Sequence, residues 1–375
     1  MASMSEKHLH IISFDIPWPA NYGGVIDVFY KAKELSEKGV KVHLHCFEYG
    51  RSYNGKLKSL FYKVHYYKRD ISKKHLFKSI PYIVSTRVSE ELATNLLQDN
   101  YPVLMEGIHT SALLNDPRFT GRKRLVRTHN IEHDYYQNLG KAETDLFKKY
   151  YFFNEAAKLK RYEHTLDKAD ALIAISKNDY NYFSSKFDKV EFIPAFHPHS
   201  AIHCKKGKGD YVLYHGNLSV SENYNAVKYL ATKVFNNLPY TLKVAGLNPP
   251  KHLVQLINNY PNIELIENPD DQTLEQLISD AHINVAVTAQ ATGLKLKLLN
   301  TLYNGRFCLV NDKMLSGSKL DKLTIIANEA AGMKHAIKNL FSKTFTSADI
   351  EERKHLLGII YNNGDNVQKL IELIF

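Results

Sequence analysis

From end to end the chain alternates short runs rich in β-branched and aromatic residues with amphipathic segments, and this alternation leaves few folds open. LHIISFD, VKVHLHCFE, FYKVHYY, PVLME, RLVRTHN, ALIAIS and VEFIP read as strands, and segments such as 24–38 and 87–98 between them read as helices. The stretch 141–169, rich in lysine and glutamate with apolar punctuation, predicts a helix lying over a surface. At 195–209, AFHPHSAIHCKKGKG, proline, glycine and histidine break the pattern, as a linker would. It then restarts with YVLYHG, YTLKVAG, IELIE, INVAVT, FCLVND and LTIIA. Strand runs separated by helices and buried on both faces require a parallel sheet covered on each side.

The expected fold is therefore α/β, with two Rossmann-like, doubly wound parallel-sheet domains facing across a cleft and ligands bound at strand carboxyl ends. The boundaries read as 1–196, 197–346 and a C-terminal helix, 347–375, able to cross back to the first domain. PDD at 269–271 reads as a helix start with Asp271 as its cap. With 44% apolar and 23% charged residues the chain is globular in composition, and its longest apolar runs are too short to span a bilayer. No basic segment followed by a long apolar one marks a secretion signal. Cys46, Cys204 and Cys308 are odd in number and far apart, which predicts reduced thiols in the cytoplasm and no zinc site.

The net charge of +10 has a location. Residues 56–78 hold eight Lys/Arg against one acid, Asp70, with aromatics interleaved. This segment is either a solvated face or a contact for an anionic membrane surface or acidic substrate. Nucleic acid is not expected, because no RNP-like, zinc-finger or helix-turn-helix pattern accompanies the charge.

Five places can carry chemistry. In SFDIPWPANYGGVIDVFYKAKEL, Gly23 and Gly24 lead from a strand into a helix, where backbone N–H groups can approach a phosphate. A plain glycine turn is the alternative. RLVRTHNIEHD delivers Arg127, His129 and Asn130 to a strand tip, with Glu132 and His133 following, and a histidine there can orient a hydroxyl or move a proton. YVLYHGN repeats the strand-to-helix geometry with Gly216 and Asn217, and VAGLNPP closes a further strand with Gly246. Finally, TGLKLKLLNTLYNG starts a leucine-rich helix on Gly293 with Lys297 and Asn300 sharing its polar stripe and Lys295 beside them. A lysine on such a helix needs an acid or an anionic ligand, and the helix start can hold a diphosphate.

In motif order and spacing over nearly the whole chain, the sequence resembles the GT-B glycosyltransferases, specifically retaining glycosyltransferase family 4. The glycine-glycine loop, RTHN, ADALIAIS, YHGNLSVSEN and TGLKLKLLNTLYNGRFCLV carry the resemblance. It implies transfer of a hexosyl unit from a nucleoside-diphosphate sugar to a glycan or lipid-linked acceptor, without a bound metal or other cofactor. It places His129 in catalysis and Gly23, Gly24, Gly216, Asn217, Gly246, Thr292, Gly293, Lys295, Lys297 and Asn300 around the donor. The chain departs from the family where two glutamates are usual, having Thr292 and Asn300, and where an arginine is usual, having Asn217. The alternative is a catalytically silent relative that binds nucleotide sugar or assists assembly of polysaccharide enzymes.

Overall fold

The computed structural model describes residues 6–53, 55–289 and 296–375. The chain forms two compact units, the first from residues up to Pro198 together with Tyr361–Phe375, the second from residues between His199 and Ile360.

The first unit holds a fully parallel sheet of β1 (His8–Ser13), β2 (Lys41–Glu48), β3 (Lys63–Lys68), β4 (Val103–Glu106), β5 (Arg124–Thr128), β6 (Ala171–Ala174) and β7 (Val190–Phe192). Its order is β3-β2-β1-β4-β5-β6-β7. The second unit holds β8 (Tyr211–Asn217), β9 (Thr241–Leu247), β10 (Ile263–Glu267), β11 (Ile283–Ala286), β12 (Phe307–Val310) and β13 (Ile325–Ile326), also parallel, in the order β10-β9-β8-β11-β12-β13. In each sheet the chain reverses its direction of winding beside the first strand, between β1 and β4 and between β8 and β11. Adjacent loops diverge at such a point and open a crevice at the carboxyl edge.

Burial follows residue type. Leu9 and Ile11 of β1 join Val42, Leu44 and Cys46 of β2 in one core layer, and Ile12, Phe47 and Tyr67 point into the layer on the other face. The helix Asn363–Ile374 closes the first layer with Val367, Leu370, Ile371 and Ile374. In the second unit a large core gathers around Tyr214, Leu230, Val244, Ile283 and Leu309, and a smaller one around Tyr211, Leu213, Ala245 and Ile278.

Two local expectations need correction. The stretch 141–169 is broken: one helix ends at Ala142, a second spans Leu146–Tyr162, and Glu163–Lys168 forms tighter turns. Glu143 Oε1 accepts from the Thr144 and Asp145 backbone N–H groups, and Asp145 Oδ1 from those of Phe147 and Lys148. These short polar side chains compete with helical hydrogen bonds and restart the helix. The helix Asp271–Asp280 is capped by Asp270, whose Oδ1 accepts from Thr273 N at 2.7 Å, and Asp271 is its first turn.

Candidate functional site

At the carboxyl edge of the first sheet lies a buried charge network. The helix Gly23–Glu37 starts beside β1 and turns Asp27 and Lys31, one turn apart, toward the strand ends. Arg127 of β5 grips Asp27 with two parallel bonds, Nε to Oδ2 at 2.9 Å and Nη2 to Oδ1 at 2.8 Å, and donates to the carbonyls of Ile193 and Pro194. Lys31 Nζ lies 2.9 Å from Asp27 Oδ2 and 2.7 Å from Glu106 Oε1. His129 Nε2 meets the other Glu106 oxygen at 2.9 Å. Burial pushes the Glu106 carboxyl up, but the Lys31 charge and the His129 hydrogen bond outweigh it and hold it below its ordinary value. Glu106 stays ionised and can only accept, so His129 donates to it from Nε2 and its Nδ1 faces away from this carboxylate.

Gly24 belongs to the same construction. A Cβ there would meet the Phe14 ring at 2.6 Å, so the bare glycine admits that ring. Phe14 in turn stands edge-on to His129, with ring centres 5.4 Å apart. Gly23 is the first residue of the helix, and its cap, Tyr22, offers no side-chain hydrogen bond.

Asp27, Glu106 and His129 bring three possible metal ligands within 4.8 Å of one another. Lys31 and Arg127 already neutralise the two carboxylates, so a cation would have to displace a buried ammonium.

Glu132 and Asp179 lie nearby in the first turns of two helices. Burial pushes Glu132 up to about 7 and Asp179 up to about 6, and the charge of Asp179 also raises Glu132. Ser176 caps the second helix and donates to Asp179 Oδ2 at 2.6 Å.

In the second unit, β8 ends in Tyr214, His215, Gly216 and Asn217, and the helix Ser221–Tyr229 follows. Asn223 ties the turn together: its Nδ2 donates to Asn217 O at 2.9 Å, and its Oδ1 accepts from Tyr214 Oη at 3.0 Å and from Lys297 Nζ at 3.1 Å. Lys297 also lies over the Tyr214 ring, 5.3 Å from its centre. Burial, with the Lys297 charge second, pushes His215 down to about 4 and keeps it neutral. Gly216 and Gly246 are paired across β8 and β9, and a Cβ on Gly246 would strike Gly216 O at 2.1 Å. The strands can lie this close only without that side chain.

Gly216, Asn217, Gly246 and Lys297 are thus gathered at one strand end. Asn217 Oδ1 is occupied by Ser219 N and Oγ, at 3.1 and 2.7 Å. Asn300, one turn beyond Lys297 on the helix Leu296–Asn304, accepts from Asn304 Nδ2 at 2.7 Å. Thr292, Gly293 and Lys295 lie outside the described residues. Sequence reasoning passed over Asp27, Lys31 and Glu106. The helical i, i+4 spacing of the first two was a signal, but their partners come from β4 and β5, some 75 to 100 residues away.

No family model matches the chain. It is 27% identical over 391 residues to an uncharacterized 44.6 kDa protein in the cps region of Klebsiella pneumoniae, a match covering 97% of this chain and 98% of that protein. Its structure is similar to sucrose-phosphate synthase from Thermosynechococcus elongatus, with a TM-score of 0.71, 13% identity and 98% of each chain covered. It is also similar to TarM of S. aureus, with a TM-score of 0.69, 10% identity and 100% of each chain covered. With two doubly wound parallel sheets, the chain has the GT-B fold of these glycosyltransferases.

Proposed function

We propose that this protein transfers a hexosyl unit from a nucleoside-diphosphate sugar to a glycan or lipid-linked acceptor, with retention of anomeric configuration. The observation that carries the reading is Lys297, brought by a distant helix onto the Gly216–Asn217 turn at the carboxyl end of β8. An ammonium there opposes the charge that builds on a departing diphosphate. Gly23, Gly24, Gly216, Gly246, Gly293, Lys295 and Asn217 are further donor contacts in this reading, on the diphosphate side, with Thr292 toward the sugar and Asn300 toward the ribose. His129 orients the transferred sugar through Nδ1, its ring held by Glu106 and Phe14. The reaction is proposed to need no metal, a reading supported by the Lys31 and Arg127 counter-charges in the one three-ligand group among the described residues.

Similar structures support the donor class. One form of S. aureus TarM was solved with UDP and α-GlcNAc-glycerol, and a trehalose-6-phosphate synthase structure concerns enzymatic glycosyltransfer with retention. Screening UDP- and GDP-sugars by thermal shift, then following diphosphate release with the strongest binder, tests the proposal. Release that depends on an acceptor is expected. Saturable binding with neither transfer nor hydrolysis would identify the silent relative, and no binding at all would end the nucleotide-sugar reading.

A peripheral contact with an anionic membrane, at the inner face of a cytoplasmic membrane, is part of the same proposal. Residues 56–78 form a short helix, Gly55–Leu60, the edge strand β3 and a helical turn, Lys73–Phe77. Phe77 is 89% exposed, and Phe147 on the helix Leu146–Tyr162 is 90% exposed. Lys158 of that helix donates to Leu76 O at 2.8 Å and ties the two segments together. Lysines around exposed aromatics suit an anionic lipid surface. No helix among the described residues is long and apolar enough to cross a membrane.

A further inference from the structure

The carboxyl edge of the first sheet also carries two arginines that pair with no carboxylate among the described residues. Arg69 follows β3 directly, and Arg87 follows the short helix Tyr82–Ser85. Both guanidinium groups lie against the Tyr49 ring, 4.4 and 5.9 Å from its centre, and Arg69 also stacks on Tyr82 at 5.6 Å. Arg69 Nε donates to Thr86 Oγ1 at 2.9 Å. Arg87 is only 4% exposed, and its Nε and Nη1 donate to the carbonyls of Phe14 and Ile83. Among the described residues, neither arginine forms an ion pair with a carboxylate, and Arg87 Nη2 donates to no protein atom.

The acids within electrostatic reach are engaged elsewhere. Asp15 accepts from Tyr22 Oη and Ile16 N, and Arg51 lies 3.4 Å from it. Glu155 accepts from Tyr82 N at 2.6 Å and from Lys158 Nζ at 2.8 Å. Glu132 is pushed up to about 7 by burial and carries only part of a charge at neutrality. Burial, with the like charge of Arg69 second, lowers Arg87 to about 9. By contrast Arg127 and Arg122, buried in the same unit, each pair with an aspartate. A buried cation beside a second cation, with no carboxylate of the described residues in contact with either, is costly unless an anion arrives.

We propose that Arg69 and Arg87, with Tyr49 as a stacking wall, bind the phosphoryl group of a phosphorylated ligand. Two guanidinium groups match the double charge and the several acceptor oxygens of a phosphomonoester, whereas a carboxylate needs only one. Tyr49, 57% exposed, leaves the site open to solvent and offers an apolar face for a sugar ring or chain. That the ligand is the acceptor rests on the glycosyl-transfer reading. The anion site itself does not.

Calorimetric titration of the full chain with glucose 6-phosphate at low salt, and co-sedimentation with phosphatidylcholine vesicles with and without phosphatidic acid, test the site. Either probe should bind, with affinity falling at least tenfold in Arg69→Gln and on raising salt, while UDP binding stays unchanged. Retention on phosphatidic acid vesicles beyond that on phosphatidylserine vesicles of equal charge, without sugar-phosphate binding, would make the phosphoryl group lipid-borne. Arg87→Gln should lose binding too, and Arg69→Gln, at a partly exposed position with no side-chain bond to the backbone of the described residues, keeps the test valid if that variant does not fold. Failure of both probes, or equal affinity in Arg69→Gln, would overturn the site. Absence of UDP binding in the unmodified protein would count against the nucleotide-sugar reading instead.

Discussion

Single residues here divide into those that hold charge and those that leave room. Lys297 is expected to act on donor affinity, and Lys297→Ala should raise the Kd of the nucleotide sugar by roughly tenfold or more, the loss of one charge-assisted contact. His129→Ala should spare that affinity and lower turnover by about 10²-fold. Kinetics that show neither change would remove both residues from the site. Glu132 makes a different prediction, about stability. Its folded value, near 7, lies above the ordinary carboxylate value, so its contribution is fully present below that ordinary value and is lost as pH rises through about 7. Glu132→Gln, neutral at every pH, should therefore raise Tm at pH 8 and have little effect at pH 5. An unchanged Tm at pH 8 would show that the carboxylate is solvated. None of this was legible beforehand for Glu132, whose letter says acid while its surroundings decide when it ionises.

At the scale of elements, the first three strands carry an arrangement that alternation alone did not reveal. His10, His43, His45 and His65 share one face of β1, β2 and β3. Tyr67 Oη lies 2.7 Å from His45 Nδ1, His45 Nε2 lies 2.8 Å from His10 Nδ1, and His10 Nε2 lies 3.0 Å from Asp99. The Asp99 carboxylate, anchored by Arg122, can only accept, so each imidazole donates from Nε2 toward it and stays neutral. Burial lowers His10 and His43 to about 4 and holds His45 well below its ordinary value. Because the folded values fall below the unfolded one, this stability is present above about pH 6.5 and drains away as pH falls toward 4, by roughly 3 kcal/mol for His10. Urea unfolding at pH 7 and pH 4.5 should show the loss, and His43→Phe should flatten it. Equal midpoints in the unmodified protein would mean that these rings titrate freely. Histidines at alternate positions looked merely polar in the sequence, since what makes them a ladder is strand register.

For the molecule as a whole, the last helix decides which segments form one unit. Asn363–Ile374 comes last in the chain and yet supplies Val367, Leu370, Ile371 and Ile374 to the core built on β1 and β2. Deleting 361–375 should destabilise that unit by roughly 6 kcal/mol or more, the burial of four large aliphatic side chains. Under the glycosyl-transfer proposal, nucleotide binding assigned to the second unit should survive, as ligand-induced protection from proteolysis would show. An unchanged unfolding profile would refute the docking. The run of apolar strands and amphipathic helices by itself determined two parallel, doubly wound sheets, because residues buried on both faces admit no other cover. It also marked the glycines at strand ends, since their need for space is local. Only tertiary structure decided that Asp27 answers Arg127 a hundred residues away, that Lys297 meets the β8 turn, and that Arg69 and Arg87 touch no carboxylate among the described residues. Charge pairing acts through space between distant segments, and nothing in the spacing of letters records those distances.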